Sequence, residues 1–349
     1  MRILLATDAW EPQVNGVVRT LTRTVAECRA MGHEVEVVSP DQFKTFPLPT
    51  YPEIKLAMGA YEPVQERFKA FEPEAIHIAT EGPIGLAARR ICLEWKLPFT
   101  TSYHTKFPEY VSARLPVPLS AGYAYMRWFH KPSGRLMVAT PTMREELLKH
   151  GFRNISPWTR GVDTDLFRPG LEPVYEGLAR PIWLSVGRVA VEKNIDAFLE
   201  LDLPGSKWVV GVGPALQGIQ ARHPDVHYLG VLNQQELAQV YSSADVFVFP
   251  SRTDTFGLVL LEAMACGTPV AAYPVTGPLD VIGDSKTAGV MHEDLRTACL
   301  EALKLRREDA AAHAQRFSWR AATEQFVAHL NPRDQSAKLT RPLANASRA

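Results

Sequence analysis

Apolar positions along this chain keep two rhythms that take turns. Short runs rich in β-branched residues, RILLAT (2–7), HEVEVVSP (33–40), EAIHIAT (74–80), FTTSYH (99–104) and LMVAT (136–140), are separated by stretches in which apolar residues return every three or four positions. The first rhythm predicts buried strands and the second predicts amphipathic helices. Helices are expected over VVRTLTRTVAECRAMG, ending at Gly32, whose missing Cβ suits a left-handed stop, and near 83–95, 119–131 and 142–150. Strand and helix in alternation predict a parallel sheet with crossover helices, a Rossmann-like unit that lacks the Gly-rich dinucleotide fingerprint.

The rhythm lapses over RGVDTDLFRPGLEPVYEGLARP (160–181), which is rich in turn formers and is read as a linker. A second series then starts. Its strands are expected at 182–186, 208–213, 227–230, 246–251 and 268–274, and its helices over ELAQVYSSA, LVLLEAMACG, 293–305 and 319–330. The domains read from this pattern are 1–165, 175–317, a C-terminal helix at 318–332, and a polar, aperiodic tail at 333–349 expected to be disordered. A chain of 349 residues, 46% of them apolar, has material for two cores. Two Rossmann-like halves in series imply a cleft, and open α/β sheets bind ligands at the carboxyl ends of their strands.

Charge narrows the partners. Lys and Arg number 38, as do Asp and Glu, so no global field draws nucleic acid or an anionic membrane. The opening apolar run, Ile3 to Ala6, is too short for a signal segment, and no stretch reaches the roughly 18 apolar residues of a membrane span, so a cytoplasmic protein is expected. Cys28, Cys92, Cys266 and Cys299 are far apart, in neither a disulfide framework nor a zinc spacing, and read as buried reduced thiols.

The most specific stretch is PSRTDTFGLVLLEAMACGTPV (250–270). Asp254 and Glu262 lie eight positions apart, around a Gly-containing turn that opens a helix whose first amides can hold an anion. A second constellation, SVGRVAVEKN (185–194), places Arg188 and Lys193 beside a strand end, two cations suited to a diphosphate. In TDAWEPQVNGVVRTL, Gly16 precedes a helix, so backbone can approach a phosphate, and Asn15 or Gly16 can take a positive φ at small cost. SYHTKFPEY sets His104 at the end of a predicted strand; a lone His is more often structural than catalytic.

Taken together these stretches resemble the retaining GT-B glycosyltransferases of family 4 (glycosyl transferases group 1), over nearly the whole chain. The resemblance implies the GT-B fold, α/β with two Rossmann-like domains facing each other across a cleft, the first for the acceptor and the second for a nucleotide-sugar donor. It assigns ribose hydroxyls to Glu262, donor-sugar hydroxyls to Asp254, and the departing diphosphate to Arg188 and Lys193. The backbone of Thr255, Phe256, Gly257, Leu258 and Val259 would approach sugar and phosphates, Gly16 would face the donor, and His104 would hydrogen-bond the donor sugar. Catalytic roles are therefore expected of His104, Arg188, Lys193 and Asp254. Asp254 departs from the commoner Glu, and the loop after GPLDVI is compressed, so no donor contact is carried over from it. The Asp163-x-Asp165 pair falls in the family's junction segment, where no metal is expected, and Arg160 beside it is a modest candidate for a cleft contact.

The resemblance implies no cofactor, since the nucleotide-sugar is a substrate. Within it, the TDTFG variant and the N-terminal loop are most similar to enzymes that glycosylate diacylglycerol or transfer mannose from GDP-mannose. A UDP-sugar donor and a lipid acceptor are the leading expectation, with a GDP-mannose enzyme on a glycolipid or polysaccharide precursor as the alternative; an epimerase and a non-catalytic nucleotide-sugar sensor rank below both. Between Glu109 and Gly134, Tyr110, Leu115, Val117, Leu119, Tyr123, Tyr125, Trp128 and Phe129 interleave with Arg114, Arg127 and Lys131. That mixture suits either peripheral contact with the inner membrane surface or a helix packed on its own domain. In similar enzymes the C-terminal helix crosses back to the first domain.

Overall fold

The computed structural model describes residues 1–13, 15–48, 51–112, 116–173, 177, 179–254 and 256–334. It divides into two units, one of Met1–Trp158 together with the residues from Ala322 on, the other of Thr159–Ala321.

In the first unit, β1 (Arg2–Ala6), β2 (Glu34–Val38), the hairpin strands β3 (Thr45–Leu48) and β4 (Tyr51–Ala57), β5 (Ala75–Ile78), β6 (Thr100–Tyr103), β7 (Arg135–Val138) and β8 (Ile155–Pro157) alternate with helices. These are α1 (Gly16–Ala30), α2 (Tyr61–Phe71), α3 (Pro83–Glu94), α4 (Phe107–Ser112), α5 (Leu119–His130) and α6 (Pro141–Lys149). Among the described residues six strands form a parallel sheet in the order β2, β1, β5, β6, β7, β8. Every residue of β5 and β6 is buried, as a parallel sheet covered on both faces requires. One face packs Leu4, Ile78, Phe68, Ile91 and Phe129; the other packs Ile3, Leu5, Leu21, Trp158, Phe326 and Leu330.

The five strands expected in this half are present within a residue or two. The β3 and β4 hairpin, α2, α4 and β8 are not anticipated by the pattern. Prolines explain most of this: Pro47 lies in a two-stranded hairpin outside the main sheet, and Pro63 in the first turn of α2, where its missing N–H breaks no helical bond.

The second unit contains β9 (Ile182–Val186), β10 (Ser206–Val210), β11 (His227–Gly230), β12 (Val246–Phe249), β13 (Val270–Ala272) and β14 (Gly289–Met291), in the parallel order β11, β10, β9, β12, β13, β14. Its helices are α7 (Asp196–Leu199), α8 (Leu216–Arg222), α9 (Gln234–Ser243), α10 (Leu258–Ala265), α11 (Thr276–Val281), α12 (Leu295–Ala302) and α13 (Arg307–Ala314). Trp183, Phe198, Val209, Val246 and Val248 anchor one core face. Arg307, at the start of α13, donates to Ser242 O at 2.6 Å, Ala244 O at 2.5 Å and Cys266 O at 3.3 Å. One half-buried cation thus bonds the carbonyl ends of α9 and α10, where the helix dipoles favour positive charge.

The segment read as a linker belongs in its described part to this second unit. Val162 bridges Ser318, and a Cβ on Gly161 would lie 2.2 Å from Trp319 N. Backbone contacts and isolated buried side chains such as Phe167, edge-on to Tyr241, hold it without an amphipathic face, which is why no period is visible. The last helix, α14 (Trp319–His329), ends in the first unit, where Phe326 and Leu330 enter the core. Arg333, placed by the sequence in a disordered tail, instead donates to Pro73 O and Glu74 O at 2.7 and 2.8 Å; residues 335–349 lie outside those described. All four cysteines are free and buried, and no helix among the described residues is long and apolar enough to cross a membrane.

Candidate active site

The second unit gathers most of the expected site residues at the carboxyl edge of β9 and β12. Beyond β9 the chain leaves through Gly187 (φ 153°), Arg188 and a single 3-10 turn ending in Lys193. This loop is held close to its neighbours. A Cβ on Gly211 would lie 2.0 Å from Gly187 O, and one on Gly213 would lie 2.2 Å from Val189 O. The two glycines of GVGP therefore let the loop after β10 lie against the one that carries Arg188, a support that the sequence reading missed although a glycine pair at a strand end signals it. Asn194 takes the left-handed conformation (φ 53°) and donates its amide to Pro250 O at 3.1 Å, tying the loop to the end of β12.

That tie brings Lys193 Nζ to 2.5 Å from Asp254 Oδ1. The two residues expected to act on different parts of a donor form one ion pair, with side chains 24% and 17% exposed. The other oxygen, Asp254 Oδ2, is buried with no hydrogen-bond partner among the described residues. Thr255 lies outside the described residues. Phe256 is buried against Phe317 at 6.5 Å between ring centroids, so only its backbone is offered to a ligand. Gly257 (φ 84°) turns the chain into α10 in a conformation that disfavours any side chain. The N-cap residue Gly257 has no side chain to cap this helix, and amides at a helix N-terminus such as those of Leu258 and Val259 suit an anion. Gly277 backs the turn, since a Cβ there would lie 2.7 Å from Phe256 O.

Glu262, one turn further on, is only 6% exposed, and Tyr241 of α9 donates its hydroxyl to Glu262 Oε2 at 3.2 Å. A buried carboxylate oriented by a tyrosine differs from an ordinary solvated helix Glu, and its remaining acceptor capacity suits a pair of hydroxyls. Val212 and Val231, 48% and 63% exposed beyond the carboxyl ends of β10 and β11, add apolar surface to the same edge.

The first unit holds the other two expected residues, both at the carboxyl end of its sheet. Gly16 is the first residue of α1. Asn15 is extended (φ −156°), not left-handed, and its Oδ1 accepts from Val17 N and Val18 N. The positive φ expected at this turn is unnecessary because Asn15 caps the helix with its side chain, taking the amides of Val17 and Val18. Val14 lies outside the described residues. His104 follows β6, its Nε2 at 2.8 Å from Ser102 Oγ and its ring edge-on to Trp158 at 5.5 Å.

Asp8, just beyond β1, is a further buried group the sequence reading passed over. Its carboxylate accepts from Ile84 N, Gly85 N and the Thr80 hydroxyl; burial pushes its pKa up while these bonds pull it down. It caps α3, and Gly82 leaves room for it: a Cβ there would be 2.5 Å from Asp8 Cγ. Asp163 likewise accepts from Leu166 N at 3.2 Å in a tight turn. Arg160 is 3% exposed, its guanidinium pushed down to about 9 by burial, and donates to Thr159 O. Of the 109–134 segment, Tyr123 and Phe129 are core, Arg127 donates to His150 O, and Trp128 is 51% exposed beneath Arg89; Arg114 and Leu115 lie outside the described residues.

Comparison with known proteins gives two family-level matches, "Glycosyltransferase Family 4" over residues 14–166 and "Glycosyl transferases group 1" over 180–305. The chain is 28% identical over 314 residues to a GDP-mannose-dependent alpha-mannosyltransferase of Mycobacterium tuberculosis, covering 82% of each. It is 27% identical to an alpha-monoglucosyldiacylglycerol synthase of Streptococcus pneumoniae, covering 87% of this chain and 78% of that protein. The structure is similar to a sucrose-phosphate synthase of Thermosynechococcus elongatus at a TM-score of 0.73 and 19% identity, covering 94% and 97%. That likeness identifies the GT-B fold.

Proposed function

Because the chain belongs to the family 4 glycosyltransferases, we propose that it is a retaining, metal-independent hexosyltransferase acting from a UDP-sugar, glucose or a related hexose, to a hydroxyl of a membrane lipid such as diacylglycerol. The observation that carries the reading is the edge of β9 and β12, which holds the Lys193 and Asp254 pair, Arg188, the glycine-led start of α10 and the buried Glu262. Glu262 takes the ribose hydroxyls, and the α10 amides with Arg188 and Lys193 take the diphosphate. As the bond between sugar C1 and the phosphate oxygen lengthens, negative charge grows on the leaving group, and the two fixed cations offset it in place of a metal. The acceptor oxygen joins C1 on the same face, its proton passes to the departing phosphate oxygen, and the products are nucleoside diphosphate and glycoside. Asp254 orients donor-sugar hydroxyls, and His104 hydrogen-bonds the transferred sugar.

The lipid acceptor is supported by the glucosyldiacylglycerol synthase relative and by the exposed Trp128 stacked with Arg89, a pair suited to a headgroup boundary. A second reading, GDP-mannose as donor, is favoured by the mannosyltransferase relative. The test is release of UDP or GDP from a panel of nucleotide-sugars, with and without diacylglycerol in detergent, in the presence of EDTA, with the product's anomeric configuration read by NMR. Lipid-dependent UDP release with an α-linked product is expected. GDP release from GDP-mannose would transfer the assignment to the second reading, and abolition by EDTA would refute the metal-free chemistry.

A further inference from the structure

β5 and β6 are adjacent parallel strands, with His77 paired to Thr100 in the register. Thr100 and Ser102 alternate onto the same face of β6, and the His77 ring bridges them. His77 Nδ1 is 2.9 Å from Thr100 Oγ1 and His77 Nε2 is 3.1 Å from Ser102 Oγ. Ser102 Oγ is in turn 2.8 Å from His104 Nε2. His77, Thr100 and Ser102 are 0% exposed. The rings of both histidines are edge-on to Trp158, at 5.7 and 5.5 Å, and Phe326 closes on His77 at 4.9 Å. Two imidazoles and two hydroxyls thus form one hydrogen-bonded line inside the first unit that reaches His104.

We propose that Ser102 and His77 are positioning residues that fix the tautomer and ring plane of His104 through this line; the functional meaning of that control rests on His104 acting as assigned above. A hydroxyl carries one proton, so the donors along the line are interdependent. If Thr100 donates to His77 Nδ1, His77 must carry its proton on Nε2 and donate to Ser102, whose own proton goes to His104 Nε2 at 2.8 Å, the shorter of its two contacts, the other being Ala79 O at 3.3 Å. His104 is left with its proton on Nδ1. In the reverse order His104 donates to Ser102, Ser102 to His77 and His77 to Thr100, whose own proton must then rest on Ile76 O at 3.4 Å and not on His77 Nδ1 at 2.9 Å. The geometry points to the first order. A single tautomer then presents one defined donor, where a ring free to exchange tautomers would divide its population between two.

The test reads the tautomer directly, from the side-chain nitrogen shifts of His104 in full-length protein labelled with ¹⁵N-histidine, for wild type, Ser102→Ala and His77→Phe. The Nδ1–H form is expected in wild type, with a shift towards Nε2–H in both variants. In the transfer assay Ser102→Ala is expected to lower kcat about 10- to 100-fold with little change in donor KM, the signature of lost orientation. If His104 shows the same tautomer pattern in wild type and Ser102→Ala, the proposal is wrong whatever the activity. His77→Phe keeps an aromatic ring against Trp158 and Phe326, and Ser102→Ala removes one atom, so a folding defect in one leaves the other informative. His104→Ala separates the two levels: full activity there refutes the role of His104 in transfer, while the tautomer measurement still decides the coupling.

Discussion

Removal of the Glu262 carboxylate tests the site most directly. Glu262→Ala deletes the group assigned to two ribose hydroxyls and leaves Tyr241, which donates to Glu262 Oε2, without that acceptor in a buried place. A hydrogen bond to a charged group contributes about 1.5–3 kcal/mol, so two of them amount to about 3–6 kcal/mol of nucleotide affinity. That corresponds to a loss of roughly a hundred- to ten-thousand-fold in Kd. Losing the hydrogen bond from Tyr241 to the carboxylate costs about 1.5–3 kcal/mol of stability, roughly 3–12 °C in Tm for a unit of this size. Calorimetric titration of UDP and 2′,3′-dideoxy-UDP, and of the guanosine pair, into wild type and variant makes a cycle. Wild type should prefer the hydroxylated nucleotide by the full factor, and the variant should bind both equally weakly. Equal affinity of wild type for both members of a pair, or an unchanged preference in Glu262→Ala, would refute the assignment.

The remaining predictions concern stability and accessibility. Gly82→Ala places a methyl 2.5–2.8 Å from the Asp8 carboxyl group, which the amides of α3 hold in place; a loss of about 1–3 kcal/mol is expected, read as a lower midpoint in urea, and an unchanged midpoint would show that Asp8 yields freely. Burial pushes the thiols of Cys28, Cys266 and Cys299 up to about 12 and Cys92 higher still, so Ellman's reagent should find no fast-reacting thiol in the native protein at pH 8 and four on unfolding. Burial, and then the neighbouring Arg135 that donates to Nδ1, lower the pKa of His329 below 6.5. Its folded state thus binds fewer protons than the unfolded chain, and its contribution to stability is present above pH 6.5 and is lost as pH falls through that value towards the lower folded pKa. Urea midpoints should fall between pH 7 and 5, and His329→Gln should flatten that slope; an identical slope in the variant would remove His329 as its source.

Much of the candidate site is legible in one dimension because its geometry is local. Asp254 and Glu262 flank one turn and one helix start, and Arg188 and Lys193 share a single loop, so spacing alone brings each pair to a strand's carboxyl end. The supports are less legible because they come from elsewhere in the chain. Gly211 and Gly213 matter for the oxygens of Gly187 and Val189 that they approach, Tyr241 reaches Glu262 from another helix, and Asp8 caps a helix that begins at Pro83. At Asn15 the sequence offers two ways to start α1, and the structure takes the side-chain cap over the positive φ.

By itself, the sequence determined the two βα series, the acidic and basic residues of the donor edge and the buried character of the cysteines. Each follows from a period or spacing within some twenty residues, where chain geometry leaves few alternatives. Tertiary structure alone decided that Lys193 pairs with Asp254, that Phe326 and Leu330 complete the core of the first unit, and that His77 stands behind Ser102 and His104. Those contacts join residues up to about 250 positions apart, as Phe326 is from His77. Such a contact is selected by the joint burial of several elements, a condition that no local pattern encodes.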